Sequence, residues 1–284
     1  MFAPQKQPVI SKKSDNFTVN LLLDQYSKRA WVSDYVYIDA AELVRFINDL
    51  CNANGLEKII FPAREEHYND LKKLGFYLEG RIEGYFNGST AYFLTAYLDQ
   101  RRACSDCLPG YLEQTKHILS RPLKKPAPLP PGYGYCTPSN GDIPALTGIF
   151  KQVFATYPSP VDQPDYLAAV LGKTALFKAV KKGRQIVSVA AAEVNWANDN
   201  AEITNCATLP DCRGAGFMLG LIEELEKECL DRGINCLYSM ARASSYGMNL
   251  VFHRLGYRFR GTLINNCNIS GGYEDMNIWV KYAR

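Results

Sequence analysis

Arg213-Gly214-Ala215-Gly216 lies between an alternating segment, AEITNCATL, and an amphipathic one, FMLGLIEELEKEC. Glycines in such a turn let backbone N–H groups approach a bulky anion with no Cβ atoms in the way. The first turn of the following helix carries N–H groups without intrahelical acceptors, at the positive end of the helix dipole. Turn and helix start together suit a pyrophosphate. The Lys-Ser/Thr pair of a P-loop is missing. The preceding strand is embedded in hairpins, which sets the turn apart from a dinucleotide-binding βαβ unit.

The elements that must carry this turn follow from turn signals and periodicity. A Pro-rich stretch, SRPLKKPAPLPPGYG, suits neither helix nor central strand and reads as a semi-rigid linker over residues 121–131. It separates residues 1–120 from residues 132–284, both of ordinary domain size. After the linker, GYCT reads as a short strand and NGDIPALTGIFKQVF as a helix with Asp142 as cap and Pro144 in its first turn. Two strands joined at a Lys-Gly turn follow, then AEITNCATL as a third. Met218, Leu221, Ile222, Leu225 and Cys229 share one helical face. INCLYSMA is a strand, SSYGMNLVFHRLGY a helix stopped near Gly256, and RFRGTLINNCN and EDMNIWVKY are closing strands. The fold class is α/β, a mixed sheet with antiparallel hairpins at both ends.

Residues 1–120 echo this order: helix, strand, helix, LGF, hairpin, with LGY in the corresponding place of the second half. Gly75 matches Gly256, and Gly80 matches Gly261. The glycine turn has no counterpart, because YIDAAELVRF stands where PDCRGAGFMLG would be. A shared fold would leave the first half without an anion cradle.

Composition bounds the partners. The chain has 284 residues, 47% hydrophobic and 21% charged, without an apolar run of bilayer-spanning length. No signal-peptide core opens it, so a cytoplasmic address is expected. A net charge of +3 with dispersed Lys and Arg gives no footing for nucleic acid. Nine scattered cysteines fit reduced thiols. Cys104 and Cys107 form a lone C-x-x-C with no second pair at metal spacing, so no metal is expected.

AEITNCATLPDCRGAGFMLGLIEEL resembles the acetyl-CoA-binding motif of the GNAT acyltransferases. ARASSYGMNLVFHRLGY, LINNCNISGGYEDMNIWVKY and VFATYPSPV are similar to one subfamily, the β-lysine N-acetyltransferases. The resemblance implies a catalytic GNAT domain at 132–284, a degenerate GNAT-like domain at 1–120, and acetyl-CoA as co-substrate. The implied reaction acetylates the side-chain amine of β-lysine, giving the osmolyte Nε-acetyl-β-lysine. A different small amine or lysine, or a non-catalytic acyl-CoA-binding module, is the alternative. A homodimer is compatible with this reading.

Carried onto this sequence, the resemblance assigns the pyrophosphate to the amides of Arg213, Gly214, Ala215, Gly216 and Phe217. Ala207 and Thr208 fall beside the pantetheine arm, and Asn249 and Phe252 beside the cofactor. Asp211 departs from the Gln or Arg usual there. An ammonium must lose a proton before attacking a thioester, and Glu202 aligns with the strand glutamate that is the base in some members; Glu193 and Glu274 are reserves. Phe252 occupies the place of the usual Tyr acid, which leaves Tyr246 and His253 as candidates. For the substrate, Glu274 and Asp275 suit an ammonium and Arg242 a carboxylate. Asn249, Asn265, Asn266 and Asn277 offer neutral hydrogen bonds.

Overall fold

The computed structural model describes residues 8–154 and 159–283; part of the VFATYPSPV segment lies outside them. The first half runs β1 (Val9–Lys13), β2 (Phe17–Asp24), β3 (Arg29–Tyr37), α1 (Ala40–Ala53), β4 (Lys58–Ala63), α2 (Tyr68–Lys73), β5 (Tyr77–Phe86), β6 (Ser89–Tyr97) and α3 (Leu108–Leu119). The second runs β7 (Tyr133–Cys136), α4 (Ile143–Val153), α5 (Pro164–Val170), β8 (Ala175–Lys182), β9 (Gln185–Asn195), β10 (Asn200–Thr208), α6 (Phe217–Asp231), β11 (Cys236–Arg242), α7 (Tyr246–Arg254), β12 (Arg258–Ile269) and β13 (Gly272–Tyr282).

These strands form one sheet in the order β1-β2-β3-β4-β6-β5-β12-β13-β11-β10-β9-β8-β7. Read outward from the β5·β12 contact, the order is the same pattern twice. In each copy a helix crosses between two parallel strands, β3 to β4 through α1 and β10 to β11 through α6, and a hairpin closes the copy. Even the register slips correspond, at Leu78/Gly80 in β5 and Phe259/Gly261 in β12. The internal echo legible in the sequence is therefore a repeat of topology.

The two matched glycines meet at the centre, where Gly80 pairs with Gly261. A Cβ on Gly261 would stand 2.1 Å from the Glu79 carbonyl oxygen, and one on Gly80 would stand 2.7 Å from Ile278 Cδ1. Only bare backbone lets the two copies join this closely. Beside the joint, the fully buried Lys58 Nζ donates to Glu79 Oε2 at 2.9 Å and to the Ile264 carbonyl at 2.6 Å. Burial pulls the Lys58 amine down to about 8. Arg102 donates to Glu57 from one side and to the Asn265 carbonyl from the other, its guanidinium 3.5 Å from the centre of the Tyr273 ring. Buried charges held this fully are costly to disturb from one side only.

Helical faces behave as their periodicity predicts. Met218, Leu221, Ile222, Leu225 and Cys229 of α6 are buried in the second-half core, and Leu43, Val44, Ile47 and Cys51 of α1 in the first-half core. A third cluster draws on both halves, with Ile60, Ile82 and Phe93 against Cys236, Leu263 and Ile278. Asp142 does stand at the start of α4, but its carboxylate accepts from the Ser139 backbone N–H in a capping box one turn earlier. The linker has no regular structure and is tied to α7: Lys124 N–H donates to the Arg254 carbonyl, and His253 Nε2 donates to that of Arg121 at 2.7 Å.

Candidate active site

Strands β10 and β11 pair only from Asn200↔Cys236 to Glu202↔Tyr238 and then diverge. Beyond Glu202, β10 bulges between Thr204 and Ala207, with Asn205 in the left-handed region at φ 52°. Divergence and bulge expose strand backbone that a sheet would otherwise consume, which suits an extended arm laid along Ala207 and Thr208. Ala207 is buried, and Thr208 bonds through its hydroxyl to Ser188 at 2.7 Å.

The glycine turn sits at the start of α6. Gly214 and Gly216 have φ of +82° and +79°, and a Cβ on either would meet no atom of the described residues within 4 Å. Left-handed backbone selects glycine here, and the space above is open. The turn from Arg213 to Gly216 is exposed, and α6 has no side-chain cap, so its first amides are free for an anion. A pyrophosphate fits this cradle, with Arg213, Gly214, Ala215, Gly216 and Phe217 as the residues that would hold it. Arg213 Nε bends back to the Thr208 carbonyl at 3.4 Å. Asp211 lies in an exposed single-turn 3₁₀ segment, Pro210–Cys212, where solvent screens its charge.

A cavity of about 760 Å³ opens at the diverging strands. Glu202, Glu193, Arg242, Phe252 and Asn266 all line it. Glu202 and Glu193 are directly opposed across β10 and β9. Desolvation, with the neighbouring Glu193 adding to it, pushes the Glu202 carboxyl up to about 8. Burial also raises Glu193, whose Oε1 accepts from Asn205 Nδ2 at 2.9 Å. Burial and the nearness of a second carboxyl both oppose ionisation here.

Several expected site residues have other work. Asn249 is fully buried; its Nδ2 donates to the Arg242 and Ser245 carbonyls, and its Oδ1 accepts from Asn277 Nδ2 and Trp279 Nε1. Both donors and both lone pairs are used, so its amide has nothing left for a cofactor. Asp275, 2% exposed, accepts from Asn265 N–H and Ser105 Oγ, while Asn265 Nδ2 donates to the Cys104 carbonyl. Both residues fasten the C-x-x-C loop to β12 and β13 and do not line the cavity. Glu274 accepts from Ser244 Oγ and lies 3.7 Å from Arg242. Tyr246 packs on His117 of α3, outside the cavity wall, which Ser245, Met248 and Phe252 form from the same stretch. His253 is bound to the linker.

Sequence reasoning missed Tyr85, Tyr166 and Tyr238, which line the cavity. The signal for Tyr238 was present: in β11, Cys236, Tyr238 and Met240 alternate onto one face. Tyr85 comes from the first half and carried no comparable mark.

With this geometry in view, the comparisons with known proteins agree. The profile of the acetyltransferase (GNAT) family matches residues 145–257. The chain is 35% identical to N-acetyltransferase YodP of Bacillus subtilis over 274 residues, 95% of this chain and 98% of that one. It is 33% identical to a beta-lysine N(6)-acetyltransferase of Methanosarcina mazei, covering 84% of this chain and 96% of the relative. A protein of the same description from Methanococcus maripaludis is 28% identical, over 89% and 94% of the two chains. The chain belongs to the GNAT acetyltransferase family. It is an N-acetyltransferase whose acetyl donor is acetyl-CoA and whose acceptor is an amine.

Proposed function

We propose that the acceptor is the side-chain amine of β-lysine and that the product is Nε-acetyl-β-lysine, a compatible solute used in osmoadaptation. The relatives from two methanogens carry the beta-lysine description, and the enclosed carboxylate pair is the observation that carries the reading on this chain. An amine with a reference pKa near 10.4 arrives as an ammonium. Glu193 and Glu202 attract it, and Glu202, held near 8, accepts its proton as the acetyl carbon is attacked. The departing sulfur leaves without a tyrosine at position 252. Residues 132–284 carry catalysis in this reading, and residues 1–120 are a degenerate copy of the fold. A cytoplasmic address belongs to the reading, and so does a homodimer.

The test is incubation with acetyl-CoA and an amine panel, the products read by mass spectrometry. Acetylation of β-lysine ahead of spermidine and free lysine is expected. Preference for another amine removes the substrate assignment.

A further inference from the structure

Residues of both halves line the cavity. Leu22, Arg29, Trp31 and Tyr85 of the first half line it together with Glu193 and Glu202 of the second. The wall carries both signs of charge, the opposed carboxylates and Arg29, whose side chain is 15% exposed. Its Nε donates to Asp24 Oδ2 at 3.0 Å and its Nη1 to the Asn266 carbonyl at 3.1 Å, with the guanidinium carbon 5.8 Å from the Trp31 ring centre. Those bonds fix the guanidinium and leave its other N–H groups without acceptors among the described residues. Arg242, the other cation on the cavity wall, is exposed and sits by Glu274.

Asn266, 2% exposed, also belongs to the wall, set there by Asn265, left-handed at φ 44°, and by the slipped register between Leu263 and Cys267. Much of the remaining wall is apolar, with Trp31, Cys267 and Met276.

We propose that Arg29 receives the carboxylate of an amino-acid substrate. The first half thereby supplies specificity for an amino acid over a simple polyamine. This rests on the amine-acetyltransferase activity and sharpens the β-lysine reading. The two signs of charge decide it. A diamino acid brings an ammonium for the carboxylates and a carboxylate for Arg29. A polyamine would bring a second cation against the guanidinium, an unfavourable like-charge contact. The charge of Arg29 also pulls Glu202 downward against its burial, so the two groups act on one another.

The experiment is steady-state kinetics of the full chain with acetyl-CoA and a matched pair of acceptors, β-lysine and its carboxamide. The wild type is expected to favour β-lysine by roughly 10-fold or more in kcat/KM, the scale of one charge-assisted contact. Arg29→Gln brings kcat/KM for β-lysine and for its carboxamide to within about 3-fold of each other, since any change at the Glu202 carboxyl falls on both acceptors alike. Arg29→Lys keeps part of the preference. An equal loss for both acceptors in Arg29→Gln makes Arg29 a brace between halves and overturns the proposal. A wild type indifferent to the carboxylate overturns it as well. A wild type that acetylates spermidine ahead of both acceptors overturns the β-lysine reading together with it, so the two failures are distinguishable.

Discussion

The two halves share one strand order and differ at the parallel strand pair and at the helix start. In β10 the residue closing the parallel pairing is Glu202, opposite Glu193; in β3 the corresponding residue is Trp31, opposite Leu22. Beyond that point β10 and β11 open onto the cavity. The first half fills its own divergence with rings: Tyr35 lies 4.6 Å from Phe61 and 5.4 Å from His67, and its hydroxyl bonds to His67 Nδ1 and accepts from the Arg64 amide. The helix starts differ likewise. Asp39 caps α1 with its own carboxylate, accepting from the amides of Ala41 and Glu42. Gly216 offers α6 no such cap. One half satisfies its amides internally, and the other leaves them for a ligand. The same topology thus has these backbone groups bonded internally in one copy and left open in the other.

The comparison breaks first at the turn. Gly214→Glu puts a side chain and a negative charge into the cradle, and calorimetry should find CoA affinity lowered by more than about 100-fold, since an anion meets an anion where amides were open. The matching change in the first half, Asp39→Ala, should leave CoA affinity untouched and cost about 1 kcal/mol of stability, the value of a helix cap. Unchanged affinity in Gly214→Glu would remove the turn from the site.

Next is the strand. Glu202→Gln should lower kcat by about 100-fold, within the usual range for a general base, and abolish the rise of kcat/KM with pH toward 8. The same group makes stability depend on pH. The folded carboxyl holds its proton up to about 8, whereas the unfolded one releases it in the ordinary carboxylate range. The native state therefore binds more protons between those limits, and stability should fall as pH rises through them. Denaturant titrations of the unliganded protein should show a flatter profile in Glu202→Gln, and an identical profile would place Glu202 in solvent.

Opening the filled side is a test of stability alone. Tyr35→Ala should cost about 3 kcal/mol or more, as large aromatic deletions from cores do, without creating a second CoA site by calorimetry. At the joint, Gly80→Ala pushes on Ile278 and the Arg260 carbonyl and should cost roughly 1–3 kcal/mol by overpacking. A single unfolding transition lowered as a whole is expected; two separated transitions would show that the halves do not fold as one sheet.

Local chemistry was legible in the sequence. The anion turn, the amphipathic face of α6 and the strand carrying Glu202 follow from short-range spacing, because helix period, strand alternation and glycine turns are properties of neighbouring residues; the repeat with its matched glycines follows from laying the two halves side by side. The tertiary structure decided what lies across the sheet. It used Asn249, Asn265 and Asp275 to close buried polar networks, turned Tyr246 toward α3, and brought Tyr85 and Arg29 from the first half to the cavity of the second. Arg29 and Asn266 are 237 positions apart, and no periodicity relates them. The chain alone determined which helix start is open to an anion, since glycine at positive φ needs no distant partner. Only the joining of two half-sheets through bare glycine backbone determined which side chains share the pocket, because such proximity arises from long-range strand pairing.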